Sequence, residues 1–98
     1  MTTFSDTVRG TVGNGILLIE IEHPPVNALS TDVRKGILAA LTHGETAADV
    51  TAMVITGAGA IFIGGADIRE FGTPPVEPVL PTVLSAIEDG EKPIVAAI

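Results

Sequence analysis

The chain has 98 residues, of which 46% are hydrophobic and 17% are charged, and its formal net charge at pH 7 is −7. This length allows one small domain, and the apolar content excludes a disordered protein. The acidic balance argues against a nucleic-acid partner, which needs a basic surface. The sequence contains no cysteine, so a disulfide framework and thiolate chemistry are excluded.

No targeting or membrane segment is predicted. Residues 1–6 lack a basic region followed by an apolar run, and no apolar stretch approaches the roughly 20 residues that a membrane span needs. We therefore expect a cytoplasmic protein without a membrane partner. His23 and His43 have no histidine or cysteine at metal-ligand spacing, so no metal site is predicted.

A β-hairpin is predicted at the start of the chain. Residues 7–12 and 16–21 are rich in β-branched side chains, and the Gly-Asn-Gly between them tolerates the positive φ of a tight turn. Residues 16–19 are continuously apolar, which predicts a strand covered on both faces. Pro24 and Pro25 then end this strand and predict a rigid loop over residues 23–29.

A helix is predicted after this loop. Ser30 is a good N-cap, Asp32 suits the first turn, and Gly44 is a plausible stop. The apolar residues at helical spacing are Val33, Ile37, Ala40 and Leu41. Gly36 costs the helix about 1 kcal/mol relative to alanine, and reflects either close packing against a neighbour or a tolerated weakness.

The second half of the sequence is predicted to form a strand, a helix and a further strand. Residues 53–56 form a short buried strand, closed by Gly-Ala-Gly. That glycine run imitates a dinucleotide fingerprint, but Phe62 stands where the third glycine belongs, which argues against a Rossmann site. After a proline-rich connector, an amphipathic helix starts at Leu80 and ends at Gly90, and residues 94–98 predict a strand buried on both faces. The result is an α/β fold with a mixed sheet.

The chain ends inside that last apolar strand. A complete small domain normally pairs and covers such a strand. We therefore expect residues 1–98 to be an N-terminal fragment of a larger domain. The uncovered strand and the apolar face of the second helix are expected to drive self-association, either ordered, as a homo-oligomer, or aggregating.

Residues 62–71, Phe-Ile-Gly-Gly-Ala-Asp-Ile-Arg-Glu-Phe, are the candidate functional loop. Gly64 and Gly65 lack a Cβ and let main chain approach a ligand closely. If the turn after Ala66 is helical, the backbone NH groups of Ala66 and Asp67 lie at the positive end of its dipole and suit an oxyanion. The alternative is a strand-to-helix connection with Asp67 as N-cap.

Four stretches resemble the crotonase superfamily, the enoyl-CoA hydratase/isomerase family, in order and spacing. They are His-Pro-Pro-Val-Asn-Ala-Leu-Ser at 23–30, Val-Ile-Thr-Gly at 54–57, Phe-Ile-Gly-Gly-Ala-Asp-Ile-Arg-Glu at 62–70 and Lys-Pro-Ile-Val-Ala-Ala-Ile at 92–98. Residues 70–75 with Leu80 and Pro81 are most similar to the hydratase portion of bifunctional enoyl-CoA hydratase/3-hydroxyacyl-CoA dehydrogenases. The resemblance implies the N-terminal part of a crotonase, ClpP-like spiral fold, in the order strand-strand-helix-strand-helix-strand, truncated at its C-terminal end.

The resemblance also implies a site for an acyl-CoA thioester, with no prosthetic group. It makes the backbone NH of Ala66 one of two oxyanion-hole donors, the second lying in a glycine-rich segment beyond Ile98. The positions that it assigns to CoA binding are Val26, Ala28, Gly64, Gly65, Asp67 and Ile68. The two glutamates that activate water in the hydratases also fall beyond Ile98, so the chain alone is expected to be inactive.

The implied reaction is the reversible hydration of 2-enoyl-CoA in fatty-acid β-oxidation. Isomerases, thioester hydrolases and decarboxylases share these motifs, and a non-catalytic CoA-binding or self-associating fragment is a further alternative. Arg69 is a candidate for a phosphate contact or a plain surface arginine. The carboxylates Glu20, Glu22, Glu70 and Glu88 are interpreted as solvated strand or helix residues.

Overall fold

The computed structural model describes residues 1–59, 62–65, 70, 72 and 74–97. Its strands are β1 (Thr2–Thr3), β2 (Val8–Gly13), β3 (Ile16–Ile21), β4 (Ala52–Gly57) and β5 (Ile94–Ala97), and its helices are α1 (Thr31–Thr46) and α2 (Leu80–Asp89). The predicted element order is confirmed, with β1 as an addition that pairs with Arg9 and Gly10 of β2. Ile98, the predicted end of the last strand, lies outside the described residues.

The sheet has the order β1-β2-β3-β4-β5. Strands β1, β2 and β3 pair antiparallel, whereas β3, β4 and β5 pair parallel, so the predicted mixed sheet is confirmed. The β2–β3 turn contains Asn14 at φ 52° and Gly15 at φ 80°, the two positive values of a type I′ hairpin. The crossovers through α1 and α2 leave the carboxyl ends of β3, β4 and β5 at one edge of the sheet.

Helix α1 begins where the sequence predicted. The Oγ of Ser30 accepts a hydrogen bond from the backbone N of Val33 at 3.2 Å, as an N-cap does. The predicted stop at Gly44 is wrong, because α1 continues to Thr46 and Ala47 is the C-cap. Gly44 is buried against Met53, whose Sδ would meet a Cβ at this position, so its role is packing.

The core lies between α1 and one face of the sheet. Its buried apolar residues are Val8, Leu17, Ile19, Ile21, Val33, Ile37, Ala40, Leu41, Val50, Met53, Ile55 and Val83. On the opposite face Leu18 is 39% exposed and Val95 is 58% exposed. The expectation that β3 and the last strand are covered on both faces is therefore wrong for the described residues. The strands are apolar on both faces, but only one face has a helix packed on it.

We expect the isolated chain to self-associate through two apolar surfaces, the uncovered face of β5 and the apolar face of α2. Val95 on the first is 58% exposed and Leu84 on the second is 50% exposed, and exposed large apolar side chains favour association. Sedimentation velocity at micromolar concentration is expected to show species larger than a monomer. A monodisperse monomer that unfolds cooperatively would contradict this expectation.

The two buried glycines of α1 provide a matched pair of substitutions. Replacing either glycine with alanine is expected to stabilise the helix by about 1 kcal/mol through helix propensity alone. At Gly36 a Cβ would lie 2.5 Å from the Cβ of Val8, whose branched side chain has little rotamer freedom. At Gly44 the nearest contact is the Sδ of Met53, whose unbranched side chain has more rotamer freedom than that of Val8. Of the two explanations for a glycine at position 36, the structure therefore favours close packing against Val8.

Gly36→Ala is expected to lower the free energy of unfolding by about 1 kcal/mol, because an overpacking cost of about 1 to 3 kcal/mol exceeds the gain in propensity. Gly44→Ala is expected to stay within about 0.5 kcal/mol of the wild type. Urea denaturation of both variants measures the difference. Equal changes in the two variants would contradict this packing argument.

Candidate functional site

Two loops meet at the carboxyl edge of the parallel strands. The first loop, residues 22–30, follows β3, and the second loop, whose described residues are 58–59, 62–65, 70, 72 and 74–79, follows β4. Because β3 and β4 run parallel, both loops leave the sheet at the same edge. In open α/β sheets this edge is where ligands bind.

Asn27 connects the two loops. Its side chain is buried, at 4% exposure, and its backbone has a φ of 54°. The Oδ1 atom accepts a hydrogen bond from the backbone N of His23 at 2.8 Å, which closes the first loop. The Nδ2 atom donates to the carbonyl oxygens of Ala58 at 3.2 Å and Phe62 at 3.4 Å, which joins it to the second. One amide side chain thus fixes both loops.

The main chains of the two loops also bind each other. The N of Gly64 donates to the O of Asn27 at 3.3 Å, and the N of Leu29 donates to the O of Gly65 at 2.7 Å. A Cβ on Gly64 would lie 2.8 Å from the Cβ of Val26 and would also meet the Val26 carbonyl oxygen. Gly65 has a φ of 100°, which only glycine adopts readily. In this structure the main chain of Gly64 lies close to Val26 of the first loop, where a side chain on residue 64 would not fit.

The structure brings together four of the residues assigned to the site. Val26, Gly64 and Gly65 are exposed at the loop junction, and Ala28 lies between Asn27 and Leu29, both of which bind the second loop. The other assigned positions, Ala66, Asp67 and Ile68, lie outside the described residues, as does Arg69. The N-cap alternative for Asp67 falls on the same undescribed stretch.

Glu70 is bound to the start of α1. Its carboxylate accepts hydrogen bonds from the N of Thr31 at 2.8 Å, the Oγ1 of Thr31 at 3.1 Å and the Nη1 of Arg34 at 3.1 Å. Desolvation raises the pKa of Glu70, but these hydrogen bonds outweigh it and hold the pKa below the ordinary value of 4.5. The interpretation of Glu70 as a simple solvated residue is therefore wrong.

The other candidate carboxylates make no hydrogen bond to the described residues of the second loop, although Glu22 is the first residue of the first loop. Glu20 and Glu22 pair with Arg9 on the sheet at 3.0 Å and 2.9 Å. Glu88 is exposed on α2. Within the described part of the chain, no three carboxylate or imidazole side chains converge to hold a metal ion. None of the helices described there is long and apolar enough to cross a membrane.

Sequence reasoning missed the roles of Asn27 and Arg34. Asn27 is a lone polar residue between Val26 and Ala28, and asparagine is among the few non-glycine residues that adopt positive φ. Arg34 lies three residues before Ile37 and seven before Leu41, on the face of α1 that packs on the sheet. A charged residue at a core-facing helical position is a signal for an internal ion pair.

An apolar cavity of about 240 Å³ lies beside the second loop, under α2. Its lining includes Leu29, Phe62, Ile63, Val83 and Ile87, and the rest of its lining is likewise apolar. A cavity of this kind accepts hydrocarbon rather than a polar group.

Comparison with known proteins identifies the family. The enoyl-CoA hydratase/isomerase family model matches residues 11–98. The chain is 49% identical to the peroxisomal bifunctional enzyme of Danio rerio over 87 residues, which cover 89% of this chain and 12% of that protein. It is 41% identical to the peroxisomal bifunctional enzyme of Homo sapiens over 86 residues, 87% of this chain and 12% of that one.

The fold agrees with this similarity. The solved structure of a Magnetospirillum magneticum protein, an enoyl-CoA hydratase/carnithine racemase by its assigned name, superposes with a TM-score of 0.86 at 27% identity. The superposition covers 96% of this chain and 38% of that structure. The bifunctional relatives confirm the resemblance found at residues 70–75. The chain therefore belongs to the enoyl-CoA hydratase/isomerase family.

Proposed function

We propose that the chain is the acyl-CoA-binding part of an enoyl-CoA hydratase, which reversibly hydrates 2-enoyl-CoA in β-oxidation. The observation that carries this proposal is the junction of the two loops through Asn27, Gly64 and Gly65. It exposes main chain at the edge of the sheet where ligands bind. The family uses CoA thioesters without a prosthetic group.

The proposed site works through backbone groups. At a net charge of −7 the chain repels the phosphates of CoA, so local backbone NH groups, or a basic side chain such as Arg69, must supply the attraction. In this proposal the residues that hold CoA are Val26, Ala28, Gly64, Gly65, Asp67 and Ile68. The NH of Ala66 binds the thioester oxygen, where a preorganised donor stabilises the charge that develops in the reaction. The apolar cavity beside Phe62 and Ile63 suits the acyl chain.

We also propose that residues 1–98 form an incomplete domain, that the chain alone is inactive, and that it forms a homo-oligomer in the cytoplasm. The relatives named above are peroxisomal by name. Fluorescence microscopy of a tagged protein in its own cells would test the compartment, and diffuse cytoplasmic signal is the expected result.

Binding of butyryl-CoA to the chain tests the proposal, since this saturated thioester cannot be hydrated. Gly64→Val places a branched side chain against the main chain of Val26 and displaces the second loop. We expect this variant to bind about tenfold more weakly, a loss of about 1.4 kcal/mol. Isothermal titration calorimetry measures both affinities.

Gly13→Val is the matched control, because a Cβ at Gly13 would meet no atom within 4 Å and this residue pairs with Ile16 at the start of β3, the opposite end of the strand from the two loops. It is expected to bind as the wild type does. Equal affinity of the two valine variants, or no binding by the wild-type chain, would contradict the proposal.

A further inference from the structure

Helix α2 forms one wall of the apolar cavity of about 240 Å³. The helix residues that line it share one face and are Leu80, Val83, Leu84 and Ile87. The sheet residues that line it are Ile55 of β4 and Ile94 and Ala96 of β5. An apolar cavity of roughly 150 Å³ binds benzene in another protein, so a space of this size accepts a hydrocarbon group. The width of the cavity depends on where α2 lies relative to the sheet.

The position of α2 is weakly fixed by its own sequence. Val79 is its N-cap and has no polar side chain to cap it, and the last turn has no basic residue. Among the residues of α2, all of which the structure describes, only Val83 is buried. A helix of 10 residues is marginal alone in water, so contacts with other elements must hold α2 in place.

Glu45 of α1 holds the C-terminal end of α2. Its carboxylate accepts hydrogen bonds from the backbone N of Glu91 at 2.8 Å and of Lys92 at 3.0 Å, directly after the C-cap Gly90. Gly90 packs against the same carboxylate, since a Cβ at this position would lie 3.1 Å from Oε2. One half-buried side chain of α1 thus fixes the residues where α2 ends.

Lys92 joins the same two elements in the opposite direction. Its Nζ donates to the carbonyl oxygens of Gly44 at 2.6 Å and Ala47 at 2.8 Å, at the C-terminus of α1. The last four carbonyls of a helix have no partner inside it, and a cation is favourable at this end of the helix dipole. The contact between the two helix ends is therefore reciprocal.

Arg34, in the first turn of α1, holds the other end of α2. Its side chain is 11% exposed. Its Nε donates to Pro78 O at 2.8 Å and its Nη2 donates to Val76 O at 3.3 Å, both in the connector that leads into α2. Arg34 and Glu45 lie about three turns apart on α1, a rise of about 16 Å, and α2 is about 15 Å long. The two side chains therefore act at the two ends of α2.

We infer that Glu45 and Arg34 are positioning residues that hold α2 over the apolar cavity, and that the cavity so formed binds long acyl chains more tightly than short ones. The inference rests on the proposed function, because it assigns the cavity a role in binding the thioester. Neither side chain lines the cavity, so both act through the position of α2. A longer acyl chain buries more apolar surface against α2, so its binding depends more on that position.

The test uses Glu45→Ala, because Arg34 also bonds to Leu29 in the first loop. This variant removes the acceptor for the two NH groups after α2 and keeps a good helix former in α1. Thr42→Ala is the matched control, since Thr42 is exposed on the same helix and its Oγ1 donates to Leu38 O inside α1. Calorimetric titration with butyryl-CoA and octanoyl-CoA measures the chain-length preference of each protein.

We expect the wild type to bind octanoyl-CoA about tenfold or more tightly than butyryl-CoA, since the added methylenes are removed from water. In Glu45→Ala this ratio of affinities is expected to fall to about a third or less, with the affinity for butyryl-CoA nearly unchanged. Thr42→Ala is expected to keep the wild-type ratio.

Benzene probes the cavity without CoA. Shifts of the methyl signals of Val83 and Ile94 in an NMR titration report its binding, and the methyls of Leu18, on the opposite face of the sheet, are the internal control. Glu45→Ala is expected to bind benzene about threefold or more weakly than the wild type and Thr42→Ala. Absence of butyryl-CoA binding by the wild type removes the proposed function, whereas the benzene comparison still decides whether Glu45 holds α2 over the cavity.

An unchanged ratio or an unchanged benzene affinity in Glu45→Ala would overturn the inference. So would an equal loss for both thioesters, because a general loosening of the fold predicts that pattern, and so would equal affinity of the wild type for the two thioesters. If Glu45→Ala does not fold, Lys92→Met replaces it, since methionine keeps an apolar stem and loses the bonds to Gly44 and Ala47. A reduced ratio in that variant would support the inference, and a wild-type ratio would overturn it.

Discussion

Proline in place of Ala66 is expected to lower kcat on an enoyl-CoA by about 10²- to 10³-fold, in a hydratase that contains this chain with the rest of its domain. Proline removes the proposed oxyanion donor outright. Proline also restricts the residue before it, and we expect a binding penalty from a displaced loop. Gly65 already has a φ of 100°, outside the helical region that a following proline disfavours. Steady-state hydration of crotonyl-CoA measures it.

Asp67→Asn is the control for this substitution. If Asp67 only caps a turn, asparagine costs about 1 kcal/mol of stability or less, with little loss of rate. The two variants must therefore differ in turnover. If Ala66→Pro folds normally and keeps nearly wild-type turnover, the backbone NH of Ala66 is not an oxyanion donor.

The second large effect is expected at Asn27. Asn27→Ala loses the hydrogen bonds to His23, Ala58 and Phe62 and forces alanine to adopt a φ of 54°. Unsatisfied buried groups cost about 1 to 3 kcal/mol and the positive φ about 1 to 2 kcal/mol. We expect the free energy of unfolding to fall by about 2 to 4 kcal/mol in urea denaturation.

Asn14→Ala separates the backbone cost from the side-chain cost. Asn14 has a φ of 52°, nearly that of Asn27, but it is exposed in the hairpin turn. Its substitution is expected to cost about 1 kcal/mol, the backbone cost alone. Equal losses in the two variants would show that the side chain of Asn27 does not hold the loops together.

Local signals in the sequence were sufficient for the elements that depend on local chemistry. The positive φ values of Asn14 and Gly15 and the capping hydroxyl of Ser30 act within a few residues of chain, and both features were predicted correctly. Gly44 was wrongly predicted to end α1, because this glycine packs against Met53 in another element, and such a contact leaves no local signal. β1 was missed because Thr2 and Thr3 form a strand only by pairing with β2.

The site was predictable only in part for the same reason. The family resemblance indicated that residues 23–30 and 62–70 form one site, and the structure places their described residues side by side. It did not indicate which side chains hold them there. Asn27 bonds to Phe62 across 35 residues and Arg34 bonds to Glu70 across 36, and such pairs leave no periodic pattern in the sequence.

An NMR titration of the ¹⁵N-labelled chain with butyryl-CoA reports directly on the backbone NH groups through which CoA is proposed to bind. We predict that the amide shifts concentrate at residues 26–29 and 64–68, with the Ala66 amide proton among the largest, while Gly13 and Asn14 stay unchanged. Shifts confined to the groove on the outer side of α1, beside Phe4 and His43, would contradict binding at the two loops. So would a spectrum in which the amides of residues 64–68 do not respond at saturating ligand.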